Sequence, residues 1–276
     1  MDCFMAGIEA GYFFVQNPFN GVYSNVAATP SAVHTIVFWS KDFSRFIAGG
    51  YGERLSEMGY NLFFNFTINS ESPLLEPHIV SLSERLDQAR ALCRNFGPET
   101  VQWRFDPICF YHYRGRTYHN LDGFDEIARR LSGLGVRRCI TSFADLYAKV
   151  KRRTAQSQDF AFVDPPLEKK QRIVEKMADR LESLGITLYT CCEEKLTETL
   201  GKDTNVCQGA CIDNRLLMAL FGGKLSCRKD SGQRAAQGCG CLTSRDIGAY
   251  DAQPCFHDCL YCYANPGKKP KDPARI

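Results

Sequence analysis

Three cysteines near the end of the chain, Cys255, Cys259 and Cys262 in QPCFHDCLYCYANPG, stand at the spacing C-x-x-x-C-x-x-C. Three thiolates on one short loop can coordinate three irons of a cubane iron–sulfur cluster and leave the fourth iron without a protein ligand, open to a small molecule. Tyr261, just before the last cysteine, would pack over the cluster edge, exclude water and tune its potential. Zinc is the competing reading, because His257 lies inside the motif and could complete a tetrahedral site of cysteines and histidine. A second set lies upstream. Cys239-Gly240-Cys241 is too tight for a normal disulfide but brings two sulfurs toward one metal, and Cys191, Cys207 and Cys211 stand at loop positions. Four of these could hold a second iron–sulfur cluster or a zinc ion, with Cys191 tying that site to a strand end. Cys3, Cys93, Cys109 and Cys139 fall in helical or strand patterns and read as structural thiols. Cys192 and Cys227 read as idle ones.

The distribution supports metal chemistry over disulfides. Of fourteen cysteines, four precede residue 190 and ten lie between Cys191 and Cys262. The start, MDCFMAGIEAGYFF, has no positive flank before an apolar run, and no stretch approaches the roughly 18 uninterrupted apolar residues of a membrane span. A cytoplasmic, reducing location is therefore expected, where clustered cysteines more often bind metal or do redox work. With 276 residues, 44% of them hydrophobic, and a net charge of +3, the chain has material for a sizeable core. That charge leaves no electrostatic footprint for nucleic acid or an anionic membrane.

The elements that must position these residues alternate. Buried β-rich runs occur at 34–40, 60–68, 100–106, 137–143 and 186–192. Between them are helical periods: 79–93 before Gly97-Pro98, a helix capped by Asp122 and ended by Gly135, and another opened by Pro165-Pro166 and stopped by Gly185. A short amphipathic helix with Phe4 and Ile8 inward and Gly11 after it opens the chain, and no strand precedes it. Repeated βα units without a dinucleotide glycine fingerprint predict an α/β fold, a full or partial TIM-like (β/α) barrel of parallel strands that lacks its first strand. Chemistry in such a barrel sits at the C-terminal strand ends. There the sequence places Trp39, Ser40 and Lys41, Thr67 and Asn69, Arg104 and Asp106, Ser142, and Cys191 with Cys192. After Leu200 the chain becomes Gly-, Cys- and charge-rich, with one convincing helix near 212–221. The expected organisation is a barrel-like domain over 1–200 and a Cys-rich cluster-binding segment over 201–276 packed on it, ending in a frayed basic tail.

The stretch CFHDCLYCYAN resembles the cluster loop of radical S-adenosylmethionine enzymes, particularly the spore photoproduct lyase type. VQNPFN, IVFWSK, WRFDP, ACID, GCGC and SRDIGAY resemble, over nearly the whole chain, the family catalogued as domain of unknown function 1848. The resemblance implies a [4Fe–4S] cluster on Cys255, Cys259 and Cys262, with S-adenosylmethionine chelating the open iron and an external electron donor reducing the cluster. Asp106, Arg104 and Lys41 would then be catalytic and, with Ser142, line the pocket of a small-molecule or other substrate. Family members begin with a strand and a Ser-Arg-Arg-Thr-Asp motif, both missing here, so a site using those residues would be incomplete. The alternatives are a non-catalytic or electron-transfer iron–sulfur protein, and a zinc-binding protein associated with nucleic acid, which the charge does not support.

Overall fold

The structure, a computed structural model, describes residues 1–264 apart from 18–20, 156, 158, 202–203, 235–236, 249–252 and 254. The basic tail therefore lies outside the described residues. Helix α1 (Asp2–Ala10) buries Met5 and Ile8 and ends at Gly11, whose φ of 78° is the left-handed turn that favours glycine. A hairpin of β1 (Tyr12–Gln16) and β2 (Tyr23–Ala27) follows. Its exposed alternation gave no strand signal in the sequence.

The main sheet is built from β3 (Thr35–Ser40), β4 (Asn61–Thr67), β5 (Val101–Ile108), β8 (Arg138–Phe143), β10 (Thr187–Thr190) and β11 (Val206–Gln208). These six strands are all parallel and stand side by side in chain order. Five of them coincide with the β-rich runs. The connections carry α2 (Ser44–Ala48) and α3 (Tyr51–Glu57), α4 (Leu82–Phe96), α5 (Phe124–Gly133), α7 (Leu167–Glu182) and α8 (Glu194–Thr199). Two departures from a simple βα repeat occur. A small antiparallel sheet of β6 (Phe110–Tyr113), β7 (Arg116–His119) and β9 (Phe160–Val163) grows out of the loops after β5 and β8, next to α6 (Ala148–Thr154). Helix α5 is not capped by Asp122: Gly123 occupies the cap position without a side-chain bond, and Asp122 instead lies 3.5 Å from His119. The strong caps are a Ser81–Glu84 capping box on α4 and Asp213 on α9 (Asn214–Phe221).

The alternation of side chains across the strands separates two faces. Leu62, Phe64 and Phe66 on β4, Val101, Trp103 and Phe105 on β5, Cys139 and Phe143 on β8 and Leu188 on β10 join the apolar core with the helices. Phe64 is central there, with ring centroids 5.2–5.8 Å from Phe38, Phe43, Phe46 and Phe96. The other face is polar. The pairing Thr67↔Arg104↔Ile140↔Tyr189↔Cys207 sets it in register. Across it Gln102 donates to Asn65 at 2.6 Å, and Arg138 donates to Gln102 at 3.2 Å and to the Tyr189 hydroxyl at 2.7 Å.

The expected full barrel is corrected here. β3 and β11 are the two edges of an open sheet, with no strand pairing between them among the described residues. The physical reason is what occupies the inner face. After β11 the chain turns across it: the Cys211 carbonyl accepts from Asn65 on β4 at 2.9 Å, and at the end of α9 the Gly222 carbonyl lies 2.8 Å from His34 Nε2, just before β3. This segment spans from one sheet edge to the other, where further strands would be needed for closure.

Candidate metal centres

The sulfurs of Cys191, Cys192 and Cys239 lie within 4.8 Å of one another, a group able to hold a metal ion. Adjacent residues of a strand point to opposite faces, so Cys191 and Cys192 should part. They do not, because β10 ends at Thr190 and Cys192 takes φ 59°, a left-handed conformation uncommon for a side chain of this kind. That turn brings the two sulfurs to 3.7 Å. Cys211 Sγ sits 3.5 Å from Cys191 Sγ, and Cys241 Sγ accepts the Cys211 backbone N–H at 3.2 Å. Cys191, Cys211, Cys239, Cys241 and Ile140 form one buried cluster, with Cys192 at its edge. The structure thus gathers four sequence candidates and adds Cys192, which the sequence had left as an idle thiol. Cys207 stays exposed on β11.

Glycines let the segments approach. A Cβ on Gly240 would stand 2.5 Å from the Gly209 carbonyl oxygen, and one on Gly209 would stand 2.8 Å from the Thr190 carbonyl oxygen. Electrostatics then favour a cation. The sulfurs of Cys191 and Cys241 hold Cys211 well below the usual thiol range against the cost of burial, helped by Arg104. Those of Cys191, Cys192 and Cys241 do the same for Cys239. Cys191 and Cys241 are pushed up in return, by the neighbouring sulfurs first and burial after them. The nest therefore shares its protons among sulfurs, and a cation binding there would replace them.

Arg104 is buried against this nest. Its Nη1 donates to Cys211 Sγ at 2.6 Å, its Nη2 pairs with Asp106, and its guanidinium lies 4.6 Å from the centre of the Trp39 ring. Its Nε has no hydrogen-bond partner among the described residues. Ser142 Oγ donates to Asp106 at 2.5 Å.

The C-terminal trio forms the second group. Leu260 N donates to the Leu75 carbonyl at 2.9 Å, and Arg153 donates to the carbonyls of Leu260 and Cys262 at 2.5 and 2.8 Å, which pins the loop. Cys259 and Tyr261 are buried with Leu75, Cys109, Tyr111 and Phe160. Burial pushes the Cys259 thiol up to about 12 against the nearby Lys41 ammonium, and Cys255 and Cys262 both act on it. Cys255 is exposed, Cys259 buried and Cys262 half-buried. Cys109 directs its sulfur at the Pro107 carbonyl, 3.8 Å away, and His257 Nδ1 lies 3.3 Å from the His78 carbonyl, so neither ring nor thiol is turned wholly to the trio.

Tyr261 makes a contact the sequence did not foresee. Its hydroxyl donates to Glu76 and accepts from Asn69 Nδ2 at 3.3 Å, while Lys41 Nζ lies 3.1 Å from Glu76 and 5.4 Å from the centre of the Tyr261 ring. Burial raises the Glu76 carboxyl, yet Lys41, Tyr261 and Asn69 together hold it below the usual carboxylate range. Asn69 also bonds the Asp106 backbone, accepting its N–H at 2.9 Å and donating to its carbonyl at 3.2 Å. A continuous chain of polar contacts hence runs from Cys211 through Arg104, Asp106 and Asn69 to Tyr261, Glu76 and Lys41. Glu76 lies in a loop without periodicity. Asn65 and Asn69 had a visible signal in NLFFNFTIN, where polar residues recur at even spacing through an apolar strand.

Fold and site define an α/β protein with cysteine-rich candidate metal centres at the C-terminal edge of a parallel sheet. No described helix is long and apolar enough to cross a membrane. The chain belongs to the family described as Domain of unknown function (DUF1848), which it matches over residues 1–264. Comparison with curated proteins found no match.

Proposed function

We propose that this chain is an iron–sulfur protein in which Cys255, Cys259 and Cys262 hold a [4Fe–4S] cluster with one iron open, on a sheet that acts as a partial (β/α) barrel. The observation that carries this is how the loop bearing Cys255, Cys259 and Cys262 docks: Leu260 N donates to the Leu75 carbonyl, and Cys259 and Tyr261 are buried with Lys41 over the Tyr261 ring, at the C-terminal strand ends where α/β sheets place their ligands. The donor set fits. Cys259 keeps its proton in an apolar pocket until iron displaces it, and three thiols leave one coordination position unfilled.

Held on Cys255, Cys259 and Cys262 and reduced by an external donor, such a cluster would supply the electron for reductive cleavage of S-adenosylmethionine. The chain's own residues give the surroundings. Leu75, Tyr111 and Phe160 keep water from Cys259, Arg153 fixes the loop carbonyls, and Lys41, held by Glu76, stands over the Tyr261 ring. Ser142, Asp106 and Arg104 stand at neighbouring strand ends and would line the substrate side.

Anaerobic purification with iron and sulfide counting tests the cluster, and addition of S-adenosylmethionine and a reductant tests for 5′-deoxyadenosine. Four irons lost in the C255A/C259A/C262A variant, together with 5′-deoxyadenosine from the parent, is the expected result. A colourless protein with zinc on the trio would overturn the reading. A second reading, an electron-transfer protein reduced by an external donor, is favoured by the polar chain from Cys211 to Tyr261, and a cluster that forms without any 5′-deoxyadenosine would select it.

A further inference from the structure

The upstream sulfurs are spaced differently from what an iron–sulfur cubane needs. Each thiolate of a cubane binds a different iron, so the whole cube stands between the sulfurs. Ligands of one tetrahedral ion are closer: with a metal–sulfur bond of about 2.3 Å, the edge between two sulfurs is about 3.8 Å. Cys191 Sγ lies 3.5 Å from Cys211 and 3.7 Å from Cys192, and Cys191, Cys192 and Cys239 close a triangle within 4.8 Å.

We propose that this nest is a single-ion thiolate centre, taking one thiophilic divalent cation of the zinc type on Cys191, Cys192 and Cys239, with Cys211, whose sulfur stands beside that of Cys191, as the fourth ligand. Cys241 acts as a positioning residue, since its sulfur accepts the Cys211 N–H and fixes that backbone. Four thiolates around a dication leave a charge of two minus in a buried place, which needs compensation. Two arginines flank the nest. Arg104 donates to Cys211, and Arg234, paired with Asp145, accepts the Cys239 backbone N–H on its carbonyl at 3.2 Å.

The ion would act as a clamp. Cys191 and Cys192 belong to the end of β10, Cys211 to the segment after β11, and Cys239 to the loop whose Gly238 carbonyl accepts from Gln208 at 3.1 Å. One ion would therefore tie three remote pieces of chain across the inner face, in a region with little apolar material to fold by itself. This centre does not depend on the chemistry of the C-terminal trio.

The test uses the full chain in which the trio is replaced, C255A/C259A/C262A, so that any remaining metal reports the nest. One metal ion per chain without inorganic sulfide is expected, as is saturation at one Co2+ with the visible absorption of tetrahedral thiolate cobalt. Iron accompanied by sulfide, a stoichiometry of two, or no bound metal would each overturn the proposal. A second measurement needs no nest variant: alkylation of the parent, mapped by mass. Cys191, Cys192, Cys211 and Cys239 should resist until a chelator is added, whereas the exposed Cys207 and Cys227 react throughout. Reaction of Cys192 or Cys211 in the metal-loaded protein would refute the ligand set.

Discussion

Arg104→Met isolates what the guanidinium does apart from any metal. In the reduced, chelator-treated protein, Arg104 is 5% exposed and faces the Asp106 carboxylate and the Cys211 sulfur. Methionine keeps an unbranched stem but removes the charge and its stacking on the Trp39 ring. Deleting one member of a buried pair costs about 3–5 kcal/mol, because the other charge stays behind uncompensated. Asp106 retains the Ser142 bond and its side chain is 18% exposed, so water offsets part of the loss and the lower end, about 3 kcal/mol, is expected. Arg104→Lys keeps the charge but has no planar fork to reach both partners, and should fall between parent and Met. Urea unfolding reads the effect, and a cycle with Asp106→Asn separates the pair from the stem: the double variant should be less destabilised than the sum of the singles by more than about 1 kcal/mol. A loss for Arg104→Met within about 0.5 kcal/mol of zero, or strict additivity in the cycle, would refute the view that Arg104 is held there as a countercharge.

Three further outcomes are expected. Gly240→Ala places a methyl against the Gly209 carbonyl oxygen, backbone against which no side chain can yield, so it should lower the urea stability by about 1–3 kcal/mol and reduce metal retention by the upstream nest, read by metal analysis of the isolated variant. Phe64→Ala removes the ring at the centre of the aromatic core and should cost about 3–5 kcal/mol in thermal or urea unfolding, with the cysteine environments unchanged. Asp125, bonded by Arg180 and Arg129, has its carboxyl held below the usual range, so its contribution is present above the unfolded value of about 3.9 and is lost as pH falls through the lower folded value. Asp125→Asn should flatten that acid limb at low salt and leave the stability difference between pH 6 and 8 unaltered, measured by urea midpoints across pH.

Five strands of the main sheet were legible because aromatic and β-branched residues are dense along each between turn residues, one face being apolar throughout. Strand β11 is three residues long, and β7 is exposed throughout, so neither carries a pattern against which burial could be inferred. The small antiparallel sheet escaped for the same reason: its members are four residues each. The trio was readable because its cysteines are local in the sequence. The upstream nest was readable in part, since Cys191, Cys211, Cys239 and Cys241 each looked available, but nothing local says that three segments meet. Cys192 shows the limit of pattern rules most clearly, because a single residue at φ 59° reverses where its side chain goes.

The polar inner face explains why both cysteine groups share one edge of the sheet. An apolar inner face would have called for closure or for a second layer of helices. Here Asn65, Gln102, Arg104 and Arg138 fill that face with donors, and such buried donors demand acceptors. The chain after β11 supplies them: its backbone gives the Cys211 carbonyl to Asn65, its sulfur goes to Arg104, and Asp213 lies 3.8 Å from Arg138. The same polar row continues through Asp106 and Asn69 to Tyr261, so the C-terminal loop docks by the same logic at the far end. Polar residues on three central strands therefore do more than line a site. They select which loops cover the sheet, and those loops carry the cysteines.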